Sequence, residues 1–216
     1  MASPLRIISL GLAGVLVVGG FVGGLRMVRG VTKVTNRTGA LSALRKYQVA
    51  QFVYREMSEG EGGRPVFAAR LPDLHRTPDG RRVLDLIPES LAAAWAGAAA
   101  PAPLNGYRFA DVAVEEKDRD ARCGLCAWPD RPGVSGDEVL LILLDETTVA
   151  MPEEGRVVEG GGVSLWSRPC AEISGPVTSW PAAEELARWK RLDKSVKEGM
   201  KAAEEEFKKT GRPLPY

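Results

Sequence analysis

The chain has 216 residues, room for one domain with an added segment, and sets 29 Lys and Arg against 28 Asp and Glu for a formal net charge of +1. That balance supplies no field to gather nucleic acid, and a hydrophobic content of 44% argues against global disorder. A single histidine, His75, removes most His-based catalysis and metal ligation.

Residues 7–25 read IISLGLAGVLVVGGFVGGL, nineteen residues without a charge. At about 1.5 Å per residue such a helix spans nearly all of a hydrocarbon core about 30 Å thick. Arg6 and Arg26 bracket it, and the run ends in Gly-Gly-Leu-Arg rather than at a small-residue cleavage site, so residues 1–29 are expected to be a retained membrane anchor. Gly19 with Gly23 and Gly20 with Gly24 form two overlapping G-x-x-x-G pairs, a candidate helix-pairing face. Arg26, Arg29, Lys33 and Arg37 follow the run, and the positive-inside rule on its own places the body in the cytoplasm.

Residues 30–39 (GVTKVTNRTG) predict a polar, turn-forming joint. From Ala40 the apolar spacing is mostly helical through Leu41, Leu44, Tyr47, Val49, Phe52, Val53 and Met57. Residues 59–64 form a loop, Leu71-Pro72-Asp73-Leu74 a short helical turn, and residues 88–96 a second short helix opened by Pro88. Strands are expected over residues 106–114, 124–128 and 139–144, then a hairpin partner over 147–151 and a further strand over 163–166. The unbroken run VLLILL at 139–144, flanked by turn signals, suits a central strand covered on both faces. From Pro181 the spacing of Leu186, Trp189, Leu192, Val196, Met200 and Phe207 predicts an amphipathic helix with that stripe as its docking face, and a break near Asp193.

Cys123-Gly-Leu-Cys126 is the one motif with chemical promise. A redox dithiol needs a helix start to lower a thiol pKa, and the context here is strand-like. A zinc site would need a fourth ligand beyond Cys123, Cys126 and Cys170, and only His75 offers a nitrogen. The favoured reading is structural: a disulfide from Cys170 to Cys123 or Cys126, or inert thiols. His75 reads as a loop histidine, since no nucleophile motif accompanies it.

The order of elements resembles type II secretion pseudopilins and other pilin-like bacterial envelope proteins. An apolar N-terminal run leads to the amphipathic ALSALRKYQVAQFVYREM, a loop-rich region, GYRF and a small sheet. The likeness continues in Trp128-Pro129, the turn Gly133-Val134-Ser135-Gly136 and the apolar strand 139–144. It covers residues 5–155. It departs from the pilin pattern in having no glutamate in or before the apolar run, so pilin-type processing is not expected, and in the segment from Pro181 onward. Major pseudopilins hold calcium through loop carboxylates, which directs attention to Asp137, Glu138, Asp145 and Glu146; their spacing matches no EF-hand loop, and solvated turn residues are the favoured reading.

The expected fold class is therefore α+β: an N-terminal transmembrane helix, an amphipathic helix packed on a small antiparallel sheet, and a C-terminal amphipathic helix. The expected divisions are an anchor over 1–29, the joint over 30–39, a pilin-like domain over 40–176, and a C-terminal helix and tail over 177–216. The expected function is non-enzymatic, an envelope protein acting through protein–protein contacts, with no cofactor, metal, nucleic acid or small-molecule substrate. The resemblance implies a bacterial inner-membrane protein, single-pass, with its soluble body outside the cytoplasm. Two rival readings are an accessory subunit of a larger membrane complex, docking through its transmembrane and C-terminal helices, and a thiol enzyme using Cys123 and Cys126.

Overall fold

The computed structural model describes residues 4–58, 63–78, 80–146 and 162–192, with side chains from residue 30 onward. Its first element, α1, is one continuous helix over Pro4–Met57. A short helical turn follows at Leu71–Leu74, then α2 at Glu89–Ala93. Five strands make one antiparallel sheet in chain order: β1 Tyr107–Asp111, β2 Arg122–Pro129, β3 Glu138–Asp145, β4 Val163–Pro169 and β5 Lys190–Arg191. A four-residue helix, α3 Ala183–Leu186, precedes β5.

The expected fold class is corrected in its first element. Among the described residues no helix is long and apolar enough to cross a membrane. From residue 30, α1 is amphipathic: Ala40, Ala43, Leu44, Tyr47 and Ala50 are buried, while Thr32, Thr35, Thr38, Arg45 and Lys46 are exposed. The run 7–25, with Gly19, Gly20, Gly23 and Gly24, lies outside the residues whose side chains are described.

The expected joint at 30–39 is also corrected: it is helix. Tertiary contacts outweigh its weak propensity. Asn36 Nδ2 donates to the Ser135 carbonyl at 2.9 Å, and Lys33 and Arg37 pair with Asp137 and Glu138 at 2.8 and 2.7 Å. Gly39 is needed for close approach, because a Cβ there would collide with the Asn105 side chain.

Alternation along the strands sends successive side chains to opposite faces of the sheet. Leu125, Ala127, Leu140, Ile142 and Leu144 meet Leu44, Tyr47 and the other buried residues of α1. Val139, Leu141, Leu143 and Cys126 face away, into a second cluster with Val112, Val177 and Trp189, bordered by Trp128, Trp166 and Trp180. The run 139–144 is thus a central strand covered on both faces, as its unbroken hydrophobicity requires.

Ion pairs set α1 along β3. Arg37 meets Glu138 at the start of β3, and Arg55 meets Glu146 just past its end. The intervening stretches match, since the helix and the strand each rise roughly 27 Å between those partners. The helix therefore runs in the direction of β3.

The C-terminal expectation changes as well. In place of a helix running through residue 192 there is α3, a turn, and β5 paired to β4 at Trp166↔Arg191 and Ser167↔Lys190. Trp189 and Leu192 would share a helix face at spacing three. Here they are divided between the two clusters, Trp189 in the far one and Leu192 on the α1 side. The open edge of β4 supplied backbone partners that an amphipathic pattern cannot anticipate. Val196, Met200 and Phe207 lie outside the described residues, as does the expected hairpin partner at 147–151.

Candidate functional site

The turn that starts β1 is built from Asn105 and Gly106, both at positive φ (49° and 70°). Leu104 and Tyr107 exchange backbone hydrogen bonds across it at 2.9 and 3.0 Å. Asn-Gly tolerates the double left-handed conformation that a tight hairpin turn needs. The turn brings Phe109 to the helix-side core and Asp111 to the foot of the 71–74 turn.

Asp111 is the most perturbed carboxyl among the described residues. It accepts the Leu71 N–H at 2.9 Å and the Trp95 indole N–H at 2.6 Å. Burial pushes its pKa up to about 6, against the pull of those two donors. Nearby, Asp73 is buried and bound to Arg70 at 2.8 Å, and the Arg70 guanidinium lies over the Trp95 ring. These groups tie the 71–74 turn and α2 to β1. Gln51, wholly buried on α1, does the same for the segment just before that turn: its amide accepts the Ala68 N–H at 2.8 Å and donates to the Ala68 carbonyl at 3.2 Å.

The three cysteines do not converge on a site. All are free thiols. Residues three apart on a strand point to opposite faces, so Cys123 packs under α1 and Cys126 packs in the far cluster. That parity prevents Cys123 and Cys126 from bonding to each other or gripping one metal ion. Burial pushes the Cys123 thiol well up, and it pushes Cys126 up to about 12 against the Val177 N–H, which donates to its Sγ at 3.3 Å. Cys170, half-buried at the end of β4, is raised as well, by burial first. A raised thiol pKa is the reverse of activation.

Two cavities open near these thiols. One, about 210 Å³, is lined by Tyr47, Cys123, Glu116, Arg119 and Arg122. Its cations are engaged: Arg119 with Glu116 at 2.7 Å, Arg122 with Asp145 at 3.2 Å. The other, about 240 Å³, lies between Trp128, Pro132, Val139, Cys170 and Ile173. Among the described residues no three His, Cys, Asp or Glu side chains gather as a metal site. His75 sits in a turn with its Nδ1 3.2 Å from the Ile87 carbonyl and 3.4 Å from Asp85.

The carboxylates flanking β3 have partners the sequence did not suggest. Asp137 takes Lys33, Glu138 takes Arg37, Asp145 takes Arg122 and Glu146 takes Arg55. Three of those four cations come from α1, so the acidic ends of the central strand are clamps for the helix. The signal was available in principle: basic residues at 33, 37 and 55 and acidic pairs at 137–138 and 145–146 have matching axial separations.

No family model, curated protein or solved structure matches the chain.

Proposed function

We propose that the protein is a non-enzymatic component of the bacterial cell envelope that works through protein–protein contacts, in the manner of pilin-like subunits. One observation carries this: α1 overruns the sheet it packs on. Lys33 already reaches the start of β3, and helical residues from Pro4 onward precede it. Val31 and Val34, at that upper end, are 60% and 66% exposed. A stem longer than its own domain suits attachment to other chains. The chemistry points the same way, because Cys123 and Cys126 are buried, all three thiols are raised, and the β3 carboxylates are engaged by cations.

In this reading the body lies outside the cytoplasm. Lys33 and Arg37 bear on the topology. Both are used in ion pairs within the domain, which gives two of the four flanking cations a structural reason to be present and weakens the charge argument for a cytoplasmic body.

Photo-cross-linkers placed at Val31 and Val34 in growing cells test the contact. Discrete adducts with another envelope protein, or a ladder of this chain, support the reading; a chain that gives no adduct at either site overturns it. Topology is read separately with Val134→Cys, an exposed loop position. A membrane-impermeant maleimide should label it on intact cells. Labelling only after the membrane is opened places the body in the cytoplasm.

A further inference from the structure

The face of α1 turned away from the sheet carries a seam of its own. Val49 lies about 200° round the helix from Tyr47, whose hydroxyl donates to the Gly124 carbonyl of β2. Ser42, Lys46, Val49, Val53 and Glu56 follow one another at spacings of four and three, and all are exposed. That spacing is the one two helices need to pack side by side. Val49, Val53 and the flanking Met57 are 62%, 40% and 54% exposed. Arg45, Lys46 and Glu56 have no ion-pair partner among the described residues, whereas Arg37 and Arg55, nearer the sheet, are both paired. The seam is symmetric about the level of Gln51. Val49 and Val53 stand two residues to either side of it, and Lys46 and Glu56 five residues to either side.

We propose that two copies of this chain pair through this seam, their α1 helices antiparallel and crossing at the level of Gln51. Reversal sets Val49 of each copy on Val53 of the other, and Lys46 of each on Glu56 of the other. The contact is self-complementary, as a two-fold dimer requires. A parallel pair in register sets Lys46 on Lys46 and Glu56 on Glu56, like charges without compensation. The charge pattern therefore selects both the occupant, a second copy, and its direction. From Ser42 to Met57 the seam is roughly 24 Å long. A contact of that size is small for a protein–protein interface, so the pair is weak and depends on concentration. The two stems leave it at opposite ends, and Val31 and Val34 stay open to the contact proposed above.

Sedimentation of the full-length chain in mild detergent, from about 1 to about 300 μM, tests this. The native chain should shift from monomer to dimer across that range. Lys46→Glu or Glu56→Lys alone should weaken the association at least tenfold, because each makes both ionic pairs repulsive. Lys46→Glu together with Glu56→Lys in one chain should restore it, and so should mixing the two single variants. Both positions are exposed, so the melting temperature of each diluted variant should match that of the diluted native chain. Direction is read by disulfide formation in a Cys170→Ser background. A mixture of Val49→Cys and Val53→Cys chains should cross-link faster than either chain alone. The proposal is overturned if the native chain stays monomeric throughout, or if the single charge reversals associate as tightly as the native chain. It is overturned as well if Val49→Cys alone cross-links faster than the mixture, which would make the pair parallel. Association that survives every change on the seam, as one through Val31 and Val34 would, also overturns it and leaves the proposed function standing.

Discussion

The two faces of the sheet are closed by different means. On one, a regular helix lays Leu44, Tyr47 and small alanines on aliphatic strand residues and is held at both ends by ion pairs. On the other, the chain from Ile173 to Trp189, irregular except for the four residues of α3, folds over Val139, Leu141 and Leu143, and the space is filled by Trp128, Trp166, Trp180 and Trp189. A helix covers a face with stiff, repeating contacts. A loop covers it with a few large side chains, and its backbone can adjust around a gap. The faces should therefore differ in how they respond to loss of a side chain.

The largest test of that difference is a matched pair on β3. Leu140 points to the helix and Leu141 to the loop, and neither has any solvent exposure. Leu140→Ala should cost about 4 kcal/mol and Leu141→Ala about 2–3 kcal/mol in denaturant unfolding, because the loop side can collapse into the cavity. Equal losses would break the comparison.

Asp111 gives the next effect, on the helix side. Its folded pKa lies above its unfolded one, so the native state binds the proton more tightly. The resulting stability is fully present below the unfolded value, near pH 4, and is lost as pH rises through about 6. The loss amounts to roughly 2–3 kcal/mol. Subtracting the pH profile of Asp111→Asn from that of the native protein should isolate a fall over that window. Identical profiles would show that Asp111 does not titrate there.

The cysteines sharpen the comparison further, as each reports on one face. Cys170 should react first with a thiol reagent under native conditions. Cys126, beneath the loop, should react at least tenfold faster than Cys123 beneath α1, equivalent to about 1.4 kcal/mol between the two openings. Mass spectrometry of time points would resolve the three. Equal rates for Cys123 and Cys126 would mean that both faces open only in global unfolding.

The smallest effect is expected at the rim of the helix-covered face. Lys33→Ala breaks a pair whose Asp137 partner is largely exposed, and should cost under about 1 kcal/mol, with the difference shrinking in high salt.

Much of the fold was legible because it rests on short-range rules. The helical spacing of Leu44, Tyr47 and its neighbours, the continuous apolar run of β3, and the turn at Leu71–Leu74 each follow from local periodicity and composition. The Asn105-Gly106 turn has a backbone requirement just as local, but the sequence reading placed only a strand start there. The candidate site was legible only in its negatives: one histidine, and a C-x-x-C without a helix start.

The sequence alone determined which residues are apolar, at what period they recur, and hence that an amphipathic helix covers a sheet with a doubly buried central strand. Tertiary structure alone decided the rest. It drew residues 30–39 into α1 through contacts with Ser135, Asp137 and Glu138, about a hundred residues away. It turned Lys190 and Arg191 into an edge strand because β4 offered unpaired backbone. It sent Cys123 and Cys126 to opposite faces because only a strand, once formed, assigns alternate residues to alternate sides. In each case the deciding partner lies far along the chain, where local propensity and spacing carry no information about it.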